Sequence, residues 1–333
     1  MNEQNPKHFD LLLTGSCMLR CKMCYLWENK PALGSLELDE WKEIIESIKC
    51  PEGCGKTTLH FGGGEPFMSS LVLPLIQFAS RNNIVTMSTS NGYLFDKRLC
   101  SRVLSSGLGH ISFSLDSLND KMHDYLRGVN GAYSRVMSGI KYLSSAKQKL
   151  TIGINCIISA LNLDSILPLA RWVINNEQIS GIMFQAIIQP HNKPQDNLWY
   201  EKSEFSELWP QDKISVEKVL DGLIELKKSS QGKLSNSILQ LEAFKNYFNN
   251  PSRFLQETHC PMNSNSFTIN WEGNVYICGL LQNMGNIRSA DIKDILNSSL
   301  MLEVVKEMKL CKRNCNNKVN CYFEGKIVTG NNK

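Results

Sequence analysis

Between residues 9 and 190, short apolar runs alternate with longer stretches in which apolar residues recur every three to four positions. The runs Phe9–Thr14, Thr57–Phe61, Ile84–Ser88, His110–Leu115, Leu150–Ile158 and Gly181–Ile187 are rich in β-branched and aromatic residues, with Gly or Asn punctuating them. They predict six strands. Helical patterns fall between them at Leu38–Ile48, Leu71–Arg81, Leu94–Ser105, Tyr133–Ala146 and Leu163–Asn175. The alternation predicts βα units and a parallel sheet: an α/β fold, open or curved into a partial (β/α)6 TIM-like barrel. The strands' C-terminal ends then share one rim, where sites of such folds gather.

The rhythm breaks at about residue 192. Pro194, Trp199, Trp209 and Pro210 precede helical stretches at Val216–Lys228 and Ser237–Phe248, read here as a helical linker. Beyond Cys260, residues Ser266–Cys278 alternate around Glu272-Gly273-Asn274 and predict a β-hairpin. An amphipathic helix follows at about Ile292–Met308, then a tail rich in Cys, Lys and Asn. The predicted organisation is a core over 8–190, a linker over 191–258, a small module over 259–323 and a tail over 324–333.

Composition narrows the function classes. At 42% hydrophobic residues the chain is too apolar to be disordered. A net charge of +4 is spread along it, so nucleic acid is not an expected partner. The first ten residues carry no signal-peptide core and no apolar run is long enough for a membrane span, so the expectation is a cytoplasmic protein without a membrane partner. The 12 cysteines change the picture most. They cluster, and in a cytoplasmic chain clustered cysteines point to metal or redox sites before disulfides. Cys17, Cys21 and Cys24 form C-x3-C-x2-C directly after the first strand, where three thiolates can converge on one metal centre. Three ligands leave a coordination position open, as catalysis requires and structural zinc does not.

This motif, followed by Gly63-Gly64-Glu65-Pro66 after the second strand, resembles the radical SAM superfamily. The resemblance implies that Cys17, Cys21 and Cys24 hold a [4Fe–4S] cluster whose fourth iron binds S-adenosylmethionine (SAM). One electron, from a donor of flavodoxin or ferredoxin type, then yields a 5′-deoxyadenosyl radical. It also implies cofactor contacts for Gly63 and Gly64, whose lack of Cβ admits close approach, and for Glu65 near the SAM amino group. Met23, Ser90, Asn91, Ser114 and Arg127 match further SAM-contacting positions, Arg127 through the SAM carboxylate. Asp116 reads as structural beside Ser114.

Cys260, Gly273 and Cys278 form C-x12-G-x4-C, and Cys311, Cys315 and Cys321 form C-x3-C-x5-C. This resembles the SPASM/twitch extension of the same superfamily. The full pattern has seven cysteines for two auxiliary clusters. The five here imply one auxiliary [4Fe–4S] cluster on Cys260, Cys278, Cys315 and Cys321, with Cys311 spare. The resemblance points to oxidation, crosslinking or epimerisation of a peptide residue. The alternatives are a carbinol dehydrogenase or epimerase acting on a sugar or cyclitol, and a non-catalytic iron–sulfur or zinc protein. The few residues before the first strand leave no room for a leader-binding domain, an expectation against a self-sufficient peptide maturase. Alternation in Leu150–Ile158 sends Cys156 to the helix side with Ile154, and Asn155 to the cofactor side. His60 and His110 fall in strands with no nucleophile to pair with, and Cys50 and Cys54 flank an incidental loop.

Overall fold

The computed structural model describes residues 8–28, 34–49, 57–146, 150–194, 196–201, 203–230, 232–257, 266–279, 281–311 and 315–320. Six strands, β1 (His8–Thr14), β2 (Thr58–Gly63), β3 (Val85–Ser90), β4 (His110–Ser114), β5 (Thr151–Ile158) and β6 (Gly181–Ala186), lie side by side in chain order and run parallel. The crossovers carry α1 (Leu38–Ser47), α2 (Val72–Arg81), α3 (Lys97–Ser105), α4 (Asp120–Arg127), α5 (Ala132–Ser144) and α6 (Leu163–Ile174). All but α4 match the helical stretches expected from the sequence. That helix, DKMHDYLR, is mostly polar and is set by its ends: Asn119 caps Met122 N–H, and Gly128 closes it in the left-handed region.

Strand alternation builds two different faces. Phe9, Leu11, Leu59, Phe61, Ile111, Phe113, Ile154 and Cys156 are sealed against the helices and form the core. Each large apolar side chain buried there contributes about 1.5–3 kcal/mol. Their neighbours His8, Asp10, His60, Thr89, His110 and Ser112 are on the opposite, inner face and are mostly polar.

The chain beyond β6 completes the sheet at both edges. Helices α7 (Ser203–Ser206), α8 (Lys213–Ser229), α9 (Ile238–Asn249) and α10 (Pro251–Glu257) follow, with α8 packed on α6 and α9. Between α8 and α9, residues 233–235 pair with Ile182 of β6. Asn236 and Asn320 then bond the backbone N–H and C=O of Phe184 and Ala186, each bond 2.8 Å. At the other edge β7 (Ser266–Ile269) adds parallel to β1, pairing His8 with Ser266 and Leu11 with Ile269. Antiparallel β8 (Asn274–Tyr276) and β9 (Gly285–Asn286) extend it to nine strands. The hairpin expected in the small C-terminal module is continuous with the barrel sheet, because β1 offers it an open edge. The single helix expected at Ile292–Met308 is two, α11 (Ile292–Asn297) and α12 (Ser299–Lys309). Ser298 between them is extended (ψ 157°) and its hydroxyl caps α12. Among the described residues no helix is long and apolar enough to cross a membrane.

Candidate active site

The ends of β1 to β6, the loop after β1 and the stretch after β6 enclose a cavity of about 500 Å³. Cys17, Cys21 and Cys24 line it, with Met23, Gly63, Gly64, Glu65, Ser90, Asn91, Ser114 and Arg127. The structure thus brings every N-terminal site residue named from sequence to one chamber. Its lining also includes Asp10, His60, Thr89, Gln185, His191 and Asn320, which sequence reasoning did not select.

The cysteine loop is held from two sides. Gly64 N–H and Glu65 N–H donate to the carbonyls of Thr14 (2.8 Å) and Ser16 (2.9 Å), so β2 grips the root of the loop. From the other side Arg20 N–H and Lys22 N–H donate to the last carbonyls of α4, on Arg127 and Leu126. This packing demands the glycines. A Cβ on Gly63, at φ 123°, would stand 2.2 Å from Thr14 O, and one on Gly64 would stand 2.1 Å from Ser16 O. Trp271 of the C-terminal hairpin packs on the same root: a Cβ on Gly15 would meet its ring at 2.8 Å.

Glu65 is almost wholly buried. Its carboxylate accepts from Ser90 Oγ and Asn91 N–H at 2.8 Å and from Phe67 N–H at 3.3 Å. Burial pushes it up to about 7, against those three donors, which favour the charged form. The Ser90 hydroxyl, donating to Glu65, also accepts from Gly92 N–H. The Asn91 amide reaches Cys17 Sγ at 3.6 Å. These residues are braced by one another at the junction of β2 and β3.

Arg127 is buried, with Nη2 2.7 Å from Asp116 Oδ2. Asp124, the other candidate partner nearby, instead accepts from Gly131 N–H and Tyr133 N–H. Burial works against the Arg127 charge, and Asp116 and Cys21 more than offset it. Asp116 Oδ1 accepts from Ile157 N–H and its own N–H donates to His123 Nδ1, so one carboxylate ties α4 to β4 and β5. Arg127 Nε is buried without a hydrogen-bond partner. Cys156 is fully buried on the helix side and Asn155 lines the cavity, as alternation predicts.

Two family models match the chain: the radical SAM superfamily over residues 11–173 and an iron–sulfur cluster-binding domain, SPASM, over residues 260–322. The chain belongs to the radical SAM superfamily. Among curated relatives, an AdoMet-dependent heme synthase of Nitratidesulfovibrio vulgaris is 33% identical over 154 residues, 46% of this chain and 41% of that protein. A PqqA peptide cyclase of Granulibacter bethesdensis is 26% identical over 155 residues, 46% of this chain and 40% of the other. The chain therefore spans less than half the length of the curated relatives it matches. The crystal structure of Streptococcus suis SuiB bound to S-adenosylmethionine shares the fold, with a TM-score of 0.69 at 15% identity over 98% of this chain and 78% of SuiB.

The cofactors of a radical SAM protein with this C-terminal domain are a [4Fe–4S] cluster with SAM and auxiliary iron–sulfur binding. The residues present fit them. Burial pushes the thiols of Cys17 and Cys24 up, and that of Cys21 up to about 12, so a bound metal rather than solvent would hold them as thiolates. Among the described residues no three His, Cys, Asp or Glu crowd round a single-ion position, whereas a cluster takes each thiolate on its own iron. The unpartnered Arg127 Nε suits an anionic group such as a carboxylate. In the C-terminal region Cys278 follows β8, Cys311 follows α12 and Cys315 precedes the turn at Asn316–Val319, all partly buried. Cys260 and Cys321, like Cys50 and Cys54, lie outside the described residues.

Proposed function

We propose that this radical SAM enzyme oxidises, crosslinks or epimerises a residue of a peptide. The cluster and SAM, when bound, supply a 5′-deoxyadenosyl radical that takes a hydrogen atom from the substrate. Cys17, Cys21 and Cys24 hold the cluster. Arg127 and Glu65 stand where they can receive the carboxylate and amino ends of SAM, each already oriented by its own hydrogen bonds or ion pair. Cys278 and Cys315, with Cys260 and Cys321, carry one auxiliary cluster, and an external donor of flavodoxin or ferredoxin type supplies the electron.

The observation that carries this reading is the single cavity in which three thiols at the rim meet a polar inner wall. A pure electron carrier has no use for such a chamber. The PqqA peptide cyclase among the relatives supports a peptide substrate. The test is anaerobic incubation with SAM and dithionite, first alone and then with short peptides encoded beside the gene. Formation of 5′-deoxyadenosine and a peptide mass change of two hydrogens, or deuterium uptake without mass loss, is expected. Failure to cleave SAM would overturn the enzyme reading. Turnover of a sugar alcohol, with every peptide unchanged, would overturn the peptide assignment.

A further inference from the structure

The inner wall of the partial barrel carries a polar set to which the reading above gives no role. Asp10, His60 and Thr89 come from β1, β2 and β3 and line the same cavity as the three cysteines. His60 Nδ1 is 2.9 Å from Asp10 Oδ1, and His60 Nε2 is 3.0 Å from Thr89 Oγ1. His8 Nε2 adds a second contact to Asp10 at 3.4 Å. In the neutral ring, Nδ1–H donates to the carboxylate and Nε2 accepts from the Thr89 hydroxyl. Gly62 makes the room: a Cβ there would press on His60 Cε1 at 3.3 Å and Nδ1 at 3.4 Å. The side chains of Asp10 and His60 are 35% and 24% exposed, so they face open space and are not core. Burial opposes ionisation of Asp10, but the hydrogen bonds from His60 and His8 outweigh it and hold the carboxyl well below the usual range.

Among the chamber's described lining residues Glu65 is sealed by its own three donors and Arg127 is paired with Asp116, which leaves Asp10 as the open carboxylate; there is no lysine, and His60 and His191 are the lining histidines. A carboxylate arriving beside Asp10 meets like charge, the two histidines there, His60 and His8, being already turned to Asp10 and Arg127 being given to the SAM carboxylate in the reading above. A neutral or cationic donor finds a fixed acceptor. Resting on the reading of this cavity as the chamber for SAM and a peptide, we propose that Asp10, set by His60 and His8, makes its inner end a subsite for a neutral or cationic hydrogen-bonding side chain and excludes carboxylates. Thr89 and His60 are positioning residues for that subsite.

The test uses the cluster-loaded enzyme with SAM and four probes. Three are dansylated tripeptides with a central lysine, asparagine or glutamate, and the fourth is iron coproporphyrin III, a tetracarboxylate. Binding is read by fluorescence anisotropy or Soret absorbance at pH 7.5. The lysine and asparagine probes are expected to bind at least about tenfold tighter than the glutamate probe. Asp10→Asn is expected to bring the three peptides within about threefold of one another. Equal affinities in the unaltered enzyme, no saturable binding of the lysine or asparagine probe, or tighter binding of glutamate or porphyrin would each overturn the proposal. So would undiminished selectivity in folded Asp10→Asn. If Asp10→Asn does not fold, the probe order in the unaltered enzyme still decides the matter. SAM cleavage on the same sample judges the enzyme reading separately: cleavage without probe selectivity defeats this subsite alone, whereas selectivity without cleavage defeats the enzyme reading.

Discussion

The rim and the inner wall of this cavity are built from the same strands by opposite rules. At the rim nearly every polar group is engaged by the protein itself. Glu65 takes three donors, Arg127 is paired with Asp116, and two glycines let carbonyls approach where any side chain would collide. On the inner wall, Asp10, His60 and Thr89 form one short chain of contacts and otherwise face open space. The rim is where this fold fixes geometry, and the inner wall is where it leaves chemistry adjustable. A radical initiator needs rim atoms held in place before substrate arrives. In the proposal above, substrate choice rests on this wall, whose polar side chains lie on the strand face opposite the core.

The largest effect is expected at the cysteines. Replacing Cys17, Cys21 and Cys24 together with Ala should abolish 5′-deoxyadenosine formation while iron falls by about half, from about eight per chain. Persistent cleavage would remove the rim from the chemistry, and about twelve irons at the outset would reveal a second auxiliary cluster. Next in size is Gly64→Ala, which should cost at least about 3 kcal/mol in thermal or denaturant melts, because the new Cβ has no room beside Ser16 O.

A third effect depends on pH. Buried His123, lowered from 6.5 to about 4 by burial and then by the Arg127 charge, disfavours a proton in the folded state. Its contribution is present above the unfolded value and is lost as pH falls from 6.5 to 4. Anaerobic melts should lose up to about 3 kcal/mol across that window, and His123→Gln should flatten the profile. Arg127→Lys keeps the charge but loses the planar fork. SAM affinity measured by equilibrium dialysis should fall about ten- to hundred-fold with an unchanged cluster spectrum. The smallest effect belongs to the inner wall: Thr89→Val should shift stability by under about 1 kcal/mol, since water replaces the lost hydroxyl. A larger loss there would erase the contrast between the two surfaces.

Much of this was readable in the chain because period and position carry it. The six parallel strands, five of the crossover helices and the three cysteines at a strand end follow from alternation and spacing alone. Pairing across the chain was not readable. Nothing local says that Ser266 lies beside His8, that Asn320 clasps Ala186, or that Arg127 chooses Asp116 over the nearer Asp124. The inner wall was hidden for a different reason. Asp10, His60 and Thr89 are single polar residues at alternate strand positions, and only the assembled barrel shows that they converge. The signal that could have found them is the polar half of each strand's alternation, in FDLLLT and TTLHF, within a sheet expected to be covered on its other face.

The seating of β7 against β1 has a consequence for synthesis. Among the described strands β1 emerges before the others yet lies inside the finished sheet, and its partner β7 emerges only after β2 to β6. Until then the root of the cysteine loop lacks Trp271, and β1 exposes an unpaired edge. Closing so distant a contact is slow compared with forming the βα units in between. The nascent chain therefore passes through a stage with its cysteines translated but their loop only half supported. That stage leaves the edge of β1 open to capture by a chaperone until β7 docks.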